Sequence, residues 1–291
     1  MQIIDGLALA KEIRLGIKKE VDKLQQKGIV PGLAVVLVGD NPASHAYVKM
    51  KAKACKEVGF YSIVHEMPVS VSQKKIIETI RMMNANSNID GILVQLPLPK
   101  HIQTEKILEV IDPKKDVDGF HPYNAGRLVS KLDSFVPCTP LGVMRMFKHY
   151  GIDLCGKDVV VVGASRIVGK PMGALLLNAD ATVTTCHIHT KDLKSHTQNA
   201  DIVIVGVGKP NLITADMVKE GAIVIDIGIN KLDDGKIVGD VDFEGVSKKC
   251  SYITPVPGGV GPMTIAMLLE NTLNAAKNRI REVDGTIKKT L

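Results

Sequence analysis

Aromatic residues are scarce in this chain, at 3% of its 291 positions. Nucleic-acid binders often stack bases on aromatics and gather their basic charge on one face. Here the net charge is +6 with the lysines spread along the chain, which speaks against a nucleic-acid partner. An anionic small molecule accounts for the surplus as well. Long apolar runs are missing too: none approaches the roughly 18 residues of a membrane span, so no membrane partner is expected. The start, Met1-Gln2-Ile3-Ile4-Asp5-Gly6, lacks a basic segment followed by an apolar one and does not read as a signal peptide. The five cysteines (Cys55, Cys138, Cys155, Cys186, Cys250) are odd in number, widely spaced and without a C-x-x-C pair. That pattern indicates neither a disulfide framework nor a zinc site, and a cytoplasmic location fits it best. H-E-x-x-H, G-x-S-x-G and Walker A motifs are absent, so metallopeptidase, hydrolase-elbow and P-loop readings have no support and no metal is expected.

What is present alternates strand and helix. Residues 7–26 carry Leu7, Ala10, Ile13, Ile17, Val21 and Leu24 at helical spacing, stopped by Gly28. Leu33–Val38 reads as a buried strand, and Asn41-Pro42 as an N-cap with proline at the first helical position, opening a helix to about Val58. A strand over Tyr61–Glu66, a helix over Ser72–Asn84, a strand over Asp90–Val94 and a helix over Thr104–Val110 follow. This alternation predicts a mainly parallel sheet. From Asp112-Pro113 to Asp133 the chain reads as loop, ending at Pro137-Cys138-Thr139-Pro140, where the domain boundary is placed. Beyond it lie a helix over Leu141–Tyr150 and strands at Asp158–Val162, Thr182–Cys186, Ile202–Val205 and Ala222–Asp226, with helices between. A last long helix is predicted over Pro262–Ile280, and the polar tail 281–291 is expected to fray.

Several segments carry candidate chemistry. The run Val159–Val162 leads into Gly163-Ala164-Ser165-Arg166-Ile167-Val168-Gly169, a strand-to-helix turn that aims backbone N–H groups and a positive dipole end at an anion. Gly163 permits the tight turn, Gly169 permits close helix–strand packing, and Ser165 can donate to a phosphate. The spacing is not G-x-G-x-x-G, and an ordinary βα turn would look similar. NAD sites usually carry an acid about 20 residues further on. Here the next strand ends Cys186-His187-Ile188-His189-Thr190-Lys191 without one, which favours NADP, with Arg166, His187, His189 and Lys191 as candidates to face a 2′-phosphate.

Tyr47 and Lys51 share a face of the predicted helix Pro42–Val58, with Ser44 joining them toward its start. A tyrosine ring and a lysine amine suit stacking on a flat substrate and proton transfer; a solvated helix face would carry the same spacing. Gln95 ends a strand between prolines, where parallel sheets place ligand contacts. Asp118, before Gly119, can bind a pair of ring N–H groups or make an Asx turn. The run Pro257-Gly258-Gly259-Val260-Gly261-Pro262 brings bare backbone close to something.

Taken together, these blocks resemble the bifunctional methylenetetrahydrofolate dehydrogenase/cyclohydrolase family over nearly the whole chain. The resemblance runs through 38–44 with Tyr47, Val48 and Lys51, through Val94–Pro99, Lys115–Phe120, Pro137–Pro140 and Gly163–Pro171, and through Thr254–Thr264. It implies NADP-dependent oxidation of 5,10-methylene-tetrahydrofolate to the 5,10-methenyl cation, then hydrolysis to 10-formyl-tetrahydrofolate. Lys51 would be the base, Gln95 would keep its protonation suitable, Tyr47 would stack on the folate, and Asp118 would hold the pterin. Ser44, Gly259 and Pro262 would lie near the folate; Gly163, Ala164 and Ser165 would line the pyrophosphate and ribose; Ile229 would touch the cofactor. Many members have arginine at the position of Ala164, and serine or arginine at that of Ile188, and neither residue here can hold a 2′-phosphate. Arg166 or His189 is left for that role. The implied fold is a two-domain α/β one: a βα-repeat folate domain, 1–138 plus 272–291, and a Rossmann-like parallel-sheet NADP domain, 139–271, with a cleft between them. The family is homodimeric. A monofunctional methylene-tetrahydrofolate dehydrogenase is the alternative, which Tyr47, Lys51 and Gln95 together argue against. A non-catalytic dinucleotide sensor or an amino-acid-type dehydrogenase accounts for less of the pattern.

Overall fold

The computed structural model describes residues 1–283 and 285. By contacts the chain forms two compact units: Met1–Lys11, Arg127–Asp133 and Pro137–Thr264 make one, and Glu12–Gly126, Ser134–Val136 and the chain from Ile265 make the other. The expected division put 1–138 with 272–291 and set 139–271 apart. The structure differs at the start because Gln2–Ile3, here β1, pairs within the sheet of the later residues.

The chain then runs through α1 (Gly6–Gln25), β2 (Gly32–Val38), α2 (Pro42–Val58), β3 (Tyr61–Met67), α3 (Gln73–Ala85), β4 (Gly91–Val94) and α4 (Thr104–Leu108). The first three helices start on side-chain caps. Asp5 accepts from the Ala8 N–H at 2.9 Å, and Ser72 caps α3 through the Lys75 N–H at 3.3 Å. Asn41 accepts from the Ala43 and Ser44 N–H groups, and Gly59, at φ 84°, closes α2 in the left-handed conformation. Strands β3, β2 and β4 form a parallel sheet in that order. Central β2 is buried at every residue, which is why it reads as a continuous apolar run. Its face toward α3 packs Ala34, Val36 and Val38 with Ile76, Ile80, Ile92 and Ile107.

The segment 113–133, expected as loop, contains α5 (Pro122–Val129). Its N-terminal cap is His121, whose ring Nδ1 accepts from the Tyr123 N–H at 3.0 Å, a residue outside the usual capping set. The Pro137–Pro140 stretch is also not a linker. Cys138 to Pro140 form the first turn of α6 (Cys138–His149), where proline needs no N–H partner.

The other unit holds β5 (Asp158–Val162), α7 (Gly169–Asn178), β6 (Thr182–Cys186), α8 (Leu193–Thr197), β7 (Ile202–Val205) and β8 (Ile223–Asp226). After them come a small antiparallel pair, β9 (Asn230–Lys231) and β10 (Ile237–Val238), then α9 (Phe243–Val246), β11 (Tyr252–Ile253) and α10 (Val260–Val283). A six-stranded all-parallel sheet runs β1-β11-β8-β7-β5-β6. Between β7 and β8 the expected helix is only a 3-10 turn, Ala215–Met217. Strands β1, β9, β10 and β11 are two residues each, too short for a period to register. Of the tail expected to fray, Arg281 to Val283 lie in α10, while 284 and 286–291 fall outside the described residues.

Candidate functional site

In the unit built on β2, the parallel ladder sets the positions of the candidate groups. The Gln95 N–H donates to the Val36 carbonyl at 2.9 Å, so Gln95 extends β4 beside β2 at its carboxyl end. On the other side of β4 the Ile92 N–H donates to the Lys115 carbonyl at 2.8 Å, and Ile92 bridges Asp116 in parallel. The segment carrying Asp118 is thus held against the strand carrying Gln95. Helix α2 follows β2 and turns Ser44, Val48, Lys51, Ala54, Cys55 and Val58 inward.

Lys51 is only 6% exposed. Its Nζ donates to Gln95 Oε1 at 3.1 Å and lies 5.4 Å from the centre of the Tyr47 ring. Gln95 Nε2 donates in turn to the Leu96 carbonyl at 2.8 Å, which fixes the amide with its oxygen toward the lysine. A neutral amide oxygen accepts from the amine in either protonation state. Burial, and after it the charge of Asp118, raises the Tyr47 phenol above its ordinary range, so it remains a neutral hydroxyl. Burial likewise pushes the Cys55 thiol up to about 11 and makes it a poor nucleophile. The structure therefore brings Tyr47, Lys51 and Gln95 together and sets Asp118 close enough to act on Tyr47 through its charge.

Asp116, two residues before Asp118, builds the loop that presents it. Its buried carboxylate accepts from the Phe120 N–H at 3.1 Å, the His121 N–H at 2.8 Å and Asn124 Nδ2 at 2.8 Å. Burial outweighs these bonds and pushes its carboxyl up to about 7. Next to it, Lys115 Nζ donates to the Asn84 and Asn86 carbonyls at 2.8 Å each, tying this segment to the end of α3.

In the six-stranded unit the candidate residues lie at the carboxyl ends of β5, β6 and β8. Gly163 has φ 122°, and a Cβ there would come within 2.7 Å of the Gly206 carbonyl oxygen. A Cβ on Gly169 would overlap the Gly163 carbonyl oxygen itself. The turn thus closes on bare backbone, as an anion cradle at a helix start requires, and these residues fit a dinucleotide pyrophosphate. Ser165 also shapes the turn, since its Oγ accepts from the Val168 N–H at 3.1 Å and the Gly169 N–H at 3.4 Å. Neither bond uses its own hydroxyl proton, which a hydroxyl can donate to an anion. Ala164 is half-buried and Arg166 exposed in the same turn.

At the end of β6, the His187 N–H donates to Thr190 Oγ1 at 2.8 Å and the His189 N–H to His187 Nδ1 at 3.2 Å. The two rings stand 6.0 Å apart, and Ile188 between them is 93% exposed. Ile229 is exposed beyond β8. Gly259 and Pro262 belong to this unit as well, by the start of α10, and Ser44 to the other. The glycine run has a packing cause within its own unit: a Cβ on Gly6 would overlap the Gly259 carbonyl oxygen, and one on Gly259 would lie 2.5 Å from the Pro255 oxygen. Two further buried carboxylates, Asp226 and Asp240, are not evident from the sequence. The one signal it offers is an acid ending a wholly apolar parallel strand two residues before a glycine. Among the described residues no group of three His, Cys, Asp or Glu side chains is placed to hold a metal ion, and no helix is long and apolar enough to cross a membrane.

The catalytic-domain model of the tetrahydrofolate dehydrogenase/cyclohydrolase family matches residues 4–118, and that family's NAD(P)-binding-domain model matches 137–280. The chain is 74% identical to the bifunctional protein FolD of a Sulfurovum species over 280 residues, covering 96% of this chain and all of the relative. It superposes on the FolD methylenetetrahydrofolate dehydrogenase/cyclohydrolase of Campylobacter jejuni with a TM-score of 0.95 at 59% identity, over 96% of this chain and 99% of that one. The Trypanosoma brucei enzyme, solved with NADP cofactor and an inhibitor, gives a TM-score of 0.92 at 40% identity, over 96% and 98%.

Proposed function

This chain belongs to the tetrahydrofolate dehydrogenase/cyclohydrolase family, and from that premise we propose which of its residues carry each of two consecutive reactions. It is a bifunctional enzyme that oxidises 5,10-methylene-tetrahydrofolate to the 5,10-methenyl cation with NADP and hydrolyses the cation to 10-formyl-tetrahydrofolate. Bound NADP supplies the hydride acceptor for the first reaction. The turn Gly163–Gly169 holds its pyrophosphate, with Ala164 and Ser165 along the ribose, Ile229 against the cofactor, and Arg166 and His189 on the side of the 2′-phosphate. Asp118 accepts from the pterin N–H groups, Tyr47 stacks on the folate, and Ser44, Gly259 and Pro262 complete its surroundings.

The hydrolysis rests on one observation, the buried Lys51 amine held 3.1 Å from the Gln95 amide oxygen. The methenyl carbon is already electrophilic, so the step requires a positioned base. Water bonds to that carbon and loses a proton to Lys51. The carbon–N5 bond then breaks, N5 takes the proton back from Lys51, and the second water proton leaves to solvent as the formyl group forms on N10. Gln95 orients the amine throughout. Its hydrogen bond does not depend on which protonation state the amine is in.

The test follows absorbance in two arms. Wild-type enzyme turns over methylene-tetrahydrofolate with NADP and with NAD in parallel, and NADP is expected to be preferred; a preference for NAD defeats the cofactor assignment. Lys51→Met hydrolyses methenyl-tetrahydrofolate without NADP, and the rate is expected to fall about a hundredfold or more, the usual scale for a general base. Unchanged hydrolysis removes Lys51 from the mechanism. A cytoplasmic homodimer paired through the cofactor domains, acting on folates and not on nucleic acid or membranes, completes the proposal. It rests on the family resemblance, and sedimentation velocity checks the dimer.

A further inference from the structure

Asp240 has no place in either reaction, yet its carboxylate is fully buried and completely engaged. Oδ2 accepts from the Val207 N–H at 2.6 Å and the Gly208 N–H at 3.0 Å; Oδ1 accepts from the Lys209 N–H at 2.9 Å and Asn230 Nδ2 at 2.8 Å. Three successive backbone donors on one carboxylate fold the chain after β7 into a closed nest. The Asn230 bond ties that nest to the loop after β8. Asp226, ending β8, secures Asp240 from behind: its carboxylate accepts from the Asp240 N–H at 3.0 Å, the Val241 N–H at 2.9 Å and the Gly228 N–H at 2.9 Å. The fit is tight enough that a Cβ on Gly228 would overlap the Asp240 carboxylate, and one on Gly239 would overlap that of Asp226. The two loops so joined leave the carboxyl ends of adjacent parallel strands. One carries Gly206, whose carbonyl crowds Gly163, and the other carries Ile229.

We propose that Asp240, braced by Asp226, is a positioning residue for NADP: it holds the loops 206–209 and 227–230 in the shape that receives the cofactor. The proposal rests on the assignment of the Gly163–Gly169 turn to the pyrophosphate. A buried carboxylate on four N–H donors is a costly way to shape a loop that only needs to turn, since the side chain must give up its water to make those bonds. The return is a loop whose conformation is set before the cofactor arrives.

The test separates cofactor binding from the reaction that uses no cofactor. Asp240→Asn keeps the shape but turns one acceptor into a donor facing backbone N–H groups. Calorimetric titration and initial rates are expected to give a Kd and KM for NADP raised about tenfold or more, the scale of a lost charge-assisted hydrogen bond. At saturating NADP most of kcat should return, and methenyl-tetrahydrofolate hydrolysis without NADP should persist. Ala164→Asp, which sets a negative charge in the phosphate turn, is the control for the underlying assignment. If Ala164→Asp weakens NADP and Asp240→Asn does not, the positioning role is overturned and the turn assignment stands. If neither weakens it, both are overturned. Should Asp240→Asn lose hydrolysis as well, Asn230→Ala decides, because it removes one of the four bonds only. It is expected to raise the Kd for NADP severalfold, and wild-type affinity overturns the proposal.

Discussion

At the scale of single residues, the molecule uses buried carboxylates as fasteners for the loops that carry its candidate site residues. Asp116 sits behind Asp118, and its carboxyl is raised to about 7 by burial. A carboxyl whose pKa is raised on folding binds its proton more tightly in the native state than in the unfolded chain. Its stabilising contribution is therefore complete below the ordinary carboxylate range, near 4, and is lost as pH rises through about 7. Asp226, raised to about 6 mainly by burial, adds in the same direction. Asp116→Asn cannot titrate, so the decline of stability between pH 4 and pH 7 is expected to be shallower in this variant than in wild type. Urea unfolding at a series of pH values measures the slope; parallel profiles would show that Asp116 contributes nothing to it. The candidate Lys51, Gln95 and Tyr47 were legible as residue types at telling spacings, but the 3.1 Å contact was not, because it joins positions brought together only by the ladder of β2 with β4. The fasteners were illegible for a related reason. An acid before a glycine in Asp118-Gly119 looks like an ordinary turn, nothing local marks Asp116 or Asp240 as buried, and the one sign for Asp226 is that it ends an apolar strand two residues before Gly228.

At the scale of elements, legibility followed length and capping chemistry. The start of helix α2 was readable because Asn41 and Pro42 open it by acting on their immediate neighbours, and the structure closes it with Gly59, directly after the expected end near Val58. The strands β2, β5, β7 and β8 were readable as apolar runs because both faces of a parallel sheet are covered. Helix α5 was not, since its cap comes from a histidine ring and its fixing bond from Asn124 to Asp116. The cap on α2 yields a direct expectation. Asn41→Ala removes the acceptor for two N–H groups and should cost about 1 kcal/mol of stability, read as a lower urea midpoint with an unchanged slope. An unshifted midpoint would mean that Pro42 and the packing of α2 fix the helix start unaided.

For the molecule as a whole, two parallel sheets underlie the candidate residues, and the larger one is completed by segments about 250 residues apart. Ile4 is fully buried, and its N–H donates to the Ile253 carbonyl at 2.8 Å, continuing the β1–β11 ladder. Ile4→Ala leaves a cavity at that edge and should destabilise the fold by about 2–5 kcal/mol, with a correspondingly lower denaturation midpoint. A loss within a few tenths of a kcal/mol would show that the edge is dispensable. No period in Met1–Gly6 announced this strand, because two residues cannot display one.

The same ladder orders events in time. During synthesis Gln2–Ile3 leaves the ribosome about 250 residues ahead of its partner Tyr252–Ile253. Strands β5 to β8 find their neighbours locally as they emerge, but β1 waits for all the residues up to β11, and its closure carries the largest loop entropy in the sheet. The edge on which α1 begins is therefore the last seam of the sheet to close. An interrupted chain ending before Tyr252 carries that opening segment with no strand to dock it.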